Sequence, residues 1–258
     1  MRHVSGYTSV VVLLVCSLIS RSSYAQQSAS PAASDPQAIA LLAQSLAAMG
    51  PLASPSRMTL AEGTATYPDG TTKLVRMETI GNDRVRHDLG SGEFTFVSNG
   101  GSGYLILQGK KLQLRTWITA YRRPEHLPAL SLMSDYQNPN LQVRYVGLEN
   151  VSGNPAHHLR LSMLPADKTP PEIEDMISEF HVWIDQLSML VVETRHFDFS
   201  PEAIQNRTPV DIFFSDYRQT NGTMIPFHMS RRVANQIQCE IQFSTISLAA
   251  TVSASDFQ

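Results

Sequence analysis

The sequence predicts a mainly β protein of the α+β class: a curled antiparallel sheet of about eleven strands with one amphipathic helix at its N-terminal end. Three observations carry this expectation. Turn signals such as Pro68-Asp69-Gly70, Gly81-Asn82-Asp83, Gly90-Ser91-Gly92 and Asn99-Gly-Gly-Ser-Gly103 recur about every 8–12 residues, which is the rhythm of a meander and not of βαβ units. Near the start, Ile39, Leu42, Leu46 and Met49 form one apolar stripe at helical spacing. Across the 258 residues, 42 % are hydrophobic and 17 % charged, enough apolar material for the core of one domain of this length.

Taken in order, residues 1–25 read as a secretory signal peptide cleaved after Ala25. Arg2 and His3 form its basic start, an apolar run of ten residues follows from Val10 to Ile19, and Ser23-Tyr24-Ala25 supplies small residues at the cleavage site. That run is too short for a membrane-spanning helix, which needs roughly 20 residues, so the mature protein is expected not to span a membrane. Cys16 raises the alternative of a lipid anchor, against which stand Val15 before it and Arg21 after it. Loss of Arg2 and Arg21 leaves 18 basic against 23 acidic residues, a charge of −5, which argues against a nucleic-acid partner. Cys239 is then the sole cysteine, and its alternation with Ile241 and Phe243 reads as a buried, inert thiol.

Residues 26–35 are expected to be a disordered lead rich in Ser, Ala and Gln, and residues 36–258 a single domain. Asp35-Pro36 starts the helix as N-cap and first helical residue, and Gly50-Pro51 stops it. Extended segments follow at 58–67, 71–80, 84–89, 93–97, 104–107 and 112–117. The proline-bounded stretch 124–138, with Leu127, Leu130, Leu132 and Met133, is expected to lay one or two helical turns across the sheet. Strands resume at 141–151 and 156–164, a short helix is expected at 172–178, and strands follow at 179–185, 188–199, 208–218, 223–233 and 236–244. A strongly twisted sheet of this size must curl, and a concave apolar face wide enough to hold a helix is a natural lipid site.

Catalytic chemistry finds little support. His157 and His158 are adjacent and point to opposite faces of a strand, while His181, His196 and His228 lie on three separate strands, so no metal site and no cofactor is expected. His196 and Asp198 share a face and are the best candidates for a site. No Gly-x-Ser-x-Gly elbow occurs, and Asn99-Gly-Gly-Ser-Gly103 lacks the lysine and helix of a phosphate loop. Asp211 and Asp216, five apart, face opposite ways on a regular strand and read as solvated acids. Sequons at Asn150, Asn206 and Asn221 bear on function only in a glycosylating host. Arg122-Arg123 and Arg231-Arg232 are short basic pairs that suit a solvated edge or an acidic headgroup.

Phe180-His-Val-Trp-Ile-Asp185, Leu190-Val-Val-Glu193, Ser215-Asp-Tyr-Arg-Gln-Thr-Asn-Gly-Thr-Met-Ile-Pro-Phe227 and the closing Ser255-Asp-Phe257 resemble the LolA-like periplasmic lipoprotein-carrier superfamily, with its lipoprotein-sorting and sigma-factor-regulator relatives. The resemblance implies an incomplete β-barrel with an α-helical lid and a hydrophobic cavity for acyl chains. The function expected is a periplasmic, non-enzymatic carrier whose partner is a lipid or the acyl chain of a lipoprotein. Cavity candidates are Ile39, Leu42, Leu46 and Met49 on the helix and Trp117, Trp183, Phe213 and Phe227, with Phe214 and Met229, on strands. Two alternatives stand beside it: an envelope-stress sensor docking a membrane-protein partner, and a secreted hydrolase using His181, His196 or Asp198.

Overall fold

The computed structural model describes residues 34–51, 58–165, 169–248, 250 and 253–257. The expected signal peptide and all of the expected lead before Ser34 lie outside the described residues. Residues 33–258 form one compact unit.

Helix α1 (Pro36–Met49) runs where its start and stop signals place it. The Asp35 carboxylate accepts a hydrogen bond of 2.8 Å from the Gln37 N–H, and Pro36 occupies the first turn, where no amide is needed. Asp35→Ala should cost about 1 kcal/mol and lower Tm by about 2–4 °C, read from thermal melts. Ser34 and Asp35, the end of the expected lead, are pinned to a strand: Ser34 Oγ donates to Leu141 O at 3.2 Å and Asp35 N to Val143 O at 2.8 Å. At the other end Gly50 has φ +87°, and a Cβ there would stand 2.4 Å from the Gly222 carbonyl oxygen. Thr223 Oγ1 donates to Pro51 O at 2.8 Å, fixing the helix end against the far side of the same half of the sheet.

Thirteen strands form one antiparallel, curled, unclosed sheet, one for each extended segment marked along the sequence, so the total of about eleven is an undercount. The first six are β1 (Met58–Thr66), β2 (Thr72–Ile80), β3 (Arg84–Leu89), β4 (Phe94–Asn99), β5 (Ser102–Leu107) and β6 (Lys110–Gln113). A crossover segment carrying α2 (Thr116–Thr119) and α3 (Pro128–Tyr136) then leads to the opposite edge. From there the chain returns through β7 (Leu141–Val151), β8 (Asn154–Met163), α4 (Pro171–Ser178), β9 (Phe180–Asp185), β10 (Val191–Phe199), β11 (Arg207–Thr220), β12 (Thr223–Val233) and β13 (Gln236–Ser247). Two meanders thus meet in one ladder, β1 against β13, and leave β6 and β7 as edges. Five hairpins turn on two residues with positive φ, among them Asn221-Gly222 (+50° and +85°) and Ala234-Asn235 (+49° and +65°), the turn geometry whose twist matches antiparallel strands.

The short extended segment expected at 112–117 is displaced. Gln108-Gly109 already makes the turn, so β6 begins at Lys110, and Trp117 lies on one turn of helix. The helix-bearing face of the sheet holds the main core. Leu42, Leu46 and Met49 of α1 and Leu127, Leu130 and Leu132 of the crossover pack on Val143, Leu159, Val182, Ile184, Ile212, Phe227 and Met229. Burial of each such side chain contributes roughly 1.5–3 kcal/mol. Helix α1 therefore fills the concave face in the β7–β12 half. On the outer face Phe257 of the C-terminal 3₁₀ turn (Ala254–Phe257) packs with Val97. Among the described residues, no helix is long and apolar enough to cross a membrane.

Candidate functional site

The other half of the concave face is open. A cavity of about 340 Å³ lies between the inward side chains of β2, β3, β4 and β13 and the crossover at residues 122–125. Its apolar wall follows the period of two that a sheet imposes: Met77 on β2, Val85 and Leu89 on β3, Phe94 and Phe96 on β4, Cys239 and Ile241 on β13. His87 occupies the same row, midway between Val85 and Leu89.

The end against the crossover is charged. On β10 and β12 the inward rows change from Thr194 to His196 and Asp198, and from Phe227 and Met229 to Arg231, as they reach this end. Arg231 Nε stands 3.3 Å from Glu125 Oε2 and its Nη2 3.6 Å from Asp198 Oδ2. Arg122 pairs with Asp198 and donates 3.0 Å to Ile118 O; Arg123 donates 2.8 Å to Asp135. Lys73 pairs with Glu93 at the rim. The two basic pairs of the sequence therefore do not edge the sheet: Arg122, Arg123 and Arg231 face inward, because carboxylates on neighbouring elements hold their guanidinium groups there. Arg232 lies on the opposite side, its guanidinium 4.4 Å from the centroid of Phe213.

This environment moves several ionisations. Burial opposes the charged form of Glu125, but Arg231 overrides it and holds the carboxyl at about 2. Burial pushes the His196 imidazole down to about 4, although its Nε2 lies 3.4 Å from Glu125 Oε1. His126, fully buried with neither ring nitrogen hydrogen-bonded, is pushed by burial to about 3. Burial also lowers His87, whose Nε2 is shielded from water and has no hydrogen-bond partner. The Cys239 thiol is raised by burial to about 11, in keeping with an unreactive wall residue.

None of the ten cavity candidates named from sequence lines this space, Phe214 and Met229 being part of the main core. Leu42, Leu46, Met49 and Phe227 are core residues under α1, Ile39 packs partly buried against them, and Trp117 lies half-buried on α2 with its Nε1 3.4 Å from Ser200 O. Trp183 and Phe213 lie on the other face of the sheet, because Val182 and Ile184, Ile212 and Phe214 take the inward positions. There Trp183 donates 2.8 Å to Glu149 and stacks on His158 at 4.1 Å. His158 Nε2 faces His181 Nδ1 at 2.8 Å, and His181 Nε2 meets Glu179 at 2.9 Å. His181 thus lies on the opposite face from His196 and Asp198, so the three do not converge. Asp211 is buried too, paired with Arg195 directly across the ladder, and not solvated as its spacing suggested. Among the described residues no three His, Cys, Asp or Glu side chains are placed to hold a metal ion.

The cavity-lining residues Tyr67, Met77, His87, Phe94, Phe96 and Glu125 went unremarked in the sequence. Their one local signal is alternation, Val85-x-His87-x-Leu89 beside Phe94-x-Phe96, which marks a row of wall residues with a histidine in it.

No family model matches the sequence, and no curated protein matches it. Solved structures do. A domain described as an outer membrane lipoprotein-sorting protein from Vibrio parahaemolyticus superposes with a TM-score of 0.54 at 12 % identity, covering 86 % of this chain and 96 % of that one. A LolA superfamily protein from Nitrosomonas europaea gives 0.50 at 12 % identity over 86 % and 97 %. A DUF1329 family protein from Desulfovibrio piger gives 0.51 at 14 % identity over 88 % and 98 %. With thirteen strands curled about a leading helix and a single crossover, the chain has the LolA-like fold.

Proposed function

We propose that the protein is a non-enzymatic carrier or binding protein of the periplasm that shelters one acyl chain, free or attached to a lipoprotein, in the cavity between β2–β4, β13 and the crossover. The observation that carries this reading is the cavity itself, walled by Met77, Val85, Leu89, Phe94, Phe96 and Ile241 and closed at one end by charge. Its 340 Å³ lies at the low end of the roughly 300–1,000 Å³ of small-molecule sites, a size for one chain and not for several. Each methylene moved there from water contributes about 0.8 kcal/mol, so affinity needs no charged contact. The shared fold with lipoprotein-sorting and LolA superfamily proteins supports the reading, as does the signal-like start of the sequence.

The test is uptake of an uncharged fluorescent dye, phenylnaphthylamine, with native mass spectrometry of protein purified without detergent. Wild type should bind the dye and carry extra mass that organic extraction removes. Met77→Trp, which fills the cavity from β2, should weaken dye binding at least about tenfold while the melt stays cooperative. Dye binding undiminished in a folded Met77→Trp would place the ligand elsewhere, and a wild type that takes up neither dye nor lipid would end the carrier reading.

A further inference from the structure

We infer that the edge hairpin β5–β6 is a docking surface for an anionic lipid bilayer, with Lys110, Lys111 and Arg115 set among the headgroups and Leu107 and Leu112 just beneath them. The surface rests on its own residues, whatever the cavity holds.

The first argument is unpaired charge. Between Glu93 and Glu125 the sequence has no acidic residue, although the chain as a whole is acidic at −3. Of the cations in that interval, Arg122 and Arg123 turn inward to carboxylates. Lys110, Lys111 and Arg115 are exposed and, among the described residues, meet no carboxylate. Lys111 and Arg115 lie instead over the rings of Tyr104 and Trp117, 3.7 and 5.8 Å from the centroids. Elsewhere the sheet pairs its cations: Arg76, Arg86, Arg160, Arg195, Arg207 and Arg218 each hold a carboxylate. Charges are screened beyond about 10 Å at 0.1 M salt, so an approaching surface meets this local excess and not the net charge. An anionic leaflet attracts such a cluster.

The second argument is the apolar surface beside it. Leu107 is 47 % exposed and Leu112 40 %, on a hairpin whose strand β6 has no neighbour on its other side. Leu107 faces Lys110 and Leu105 faces Leu112 across the ladder, so leucines and a lysine share one face while Tyr104 and Lys111 take the other. Exposed leucine interleaved with lysine and an aromatic ring suits the bilayer interface, where cations stay among headgroups above the buried apolar groups. The unpaired backbone groups along the edge of β6 hold the hairpin at that depth, because hydrocarbon would offer them no partner. The same rows run inward: Leu107 pairs with Phe94 and Leu105 with Phe96, both residues of the cavity wall. An acyl chain sheltered there, as proposed above, would pass between cavity and bilayer along a continuous apolar floor.

The experiment is cosedimentation with phosphatidylcholine vesicles, with and without roughly one third phosphatidylglycerol, melts confirming that each variant is folded. Wild type should bind the anionic vesicles at least about tenfold more tightly than the neutral ones, and high salt should remove most of that preference. Lys110→Glu with Lys111→Glu should abolish the preference, and Leu107→Gln with Leu112→Gln should weaken binding about tenfold. Charge reversal keeps the edge guarded against pairing with another strand, so aggregation does not mimic the loss. Arg144→Glu with Arg218→Glu makes the same change of net charge at exposed positions of β7 and β11 and should bind as wild type does. A wild type that ignores both vesicles, a lysine variant that keeps the preference, or an arginine control as weak as the lysine variant would overturn the docking. Vesicle binding is read without dye, so the docking stands or falls apart from the acyl-chain reading.

Discussion

Replacing Arg231 by methionine should lower stability by about 3 kcal/mol and Tm by about 6–12 °C. Methionine keeps the apolar stem and removes only the guanidinium, which lies 3.3 Å from Glu125 and 3.6 Å from Asp198. Breaking a buried pair by deleting one partner costs roughly 3–5 kcal/mol, because the other charge stays buried. The low end applies here, since Arg122 still compensates Asp198, which is itself partly open to the cavity. Glu125 bears the loss, with 12 % of its side chain accessible and its carboxyl held ionised chiefly by this arginine. Adding Glu125→Gln to Arg231→Met should therefore recover about half of the loss, a coupling that urea denaturation of the two single variants and the double would resolve. Purely additive losses would show that Glu125 is hydrated and the pair structurally idle.

The second large effect is a pH dependence built from two opposed groups. His126 and His196 titrate near 3 and 4 in the folded chain, below the ordinary 6.5, so the unfolded state binds more protons between those values. Their stability contribution is complete above pH 6.5 and is lost as pH falls, by about 4 kcal/mol for the two together between pH 7 and 5 at about 1.4 kcal/mol per unit each. Glu193 runs the other way. Burial between Trp183 and Phe213 on the outer face, with Asp211 nearby, raises it to about 7, so the folded state takes up this proton first and gains about 2 kcal/mol over the same interval. From these three groups wild type should lose about 2 kcal/mol on going from pH 7 to 5, and Glu193→Gln should lose about 2 kcal/mol more than wild type. Denaturation midpoints at the two pH values decide it: equal slopes for the two proteins would mean that Glu193 is ionised throughout.

Helix α1 was legible to the residue because everything that defines it is local: Asp35-Pro36, a stripe spaced three, four and three, and Gly50-Pro51. The hairpins were legible for the same reason, since Asn221-Gly222 needs only its own φ values. Which way a strand faces was not. Phe180, Val182, Trp183 and Ile184 are apolar on both sides of β9, so alternation there has no preferred phase, and Trp183 went outward when the even-numbered positions took the core. The cavity's charged end was hidden more thoroughly. Only His196 and Asp198, two apart on β10, are joined by spacing; His87, Arg122, Glu125 and Arg231 come from β3, the crossover and β12, and no sequence spacing joins them to that pair. Arg122-Arg123 and Arg231-Arg232 looked like solvated pairs because a basic dipeptide says nothing of the carboxylates that meet it across the sheet.

The single ladder between β1 and β13 sets the order in which the molecule can be completed during synthesis. Every other strand pairs with a neighbour in sequence, so each half can assemble as it emerges, one short hairpin at a time. The seam instead joins Ser244 to Glu62 across 182 positions, and β1 has no second neighbour until β13 arrives. Throughout that delay the nascent chain offers an unpaired strand edge and an unlined apolar hollow, two features that invite aggregation or chaperone capture. The half that later holds the cavity is made first and waits longest for its closing wall.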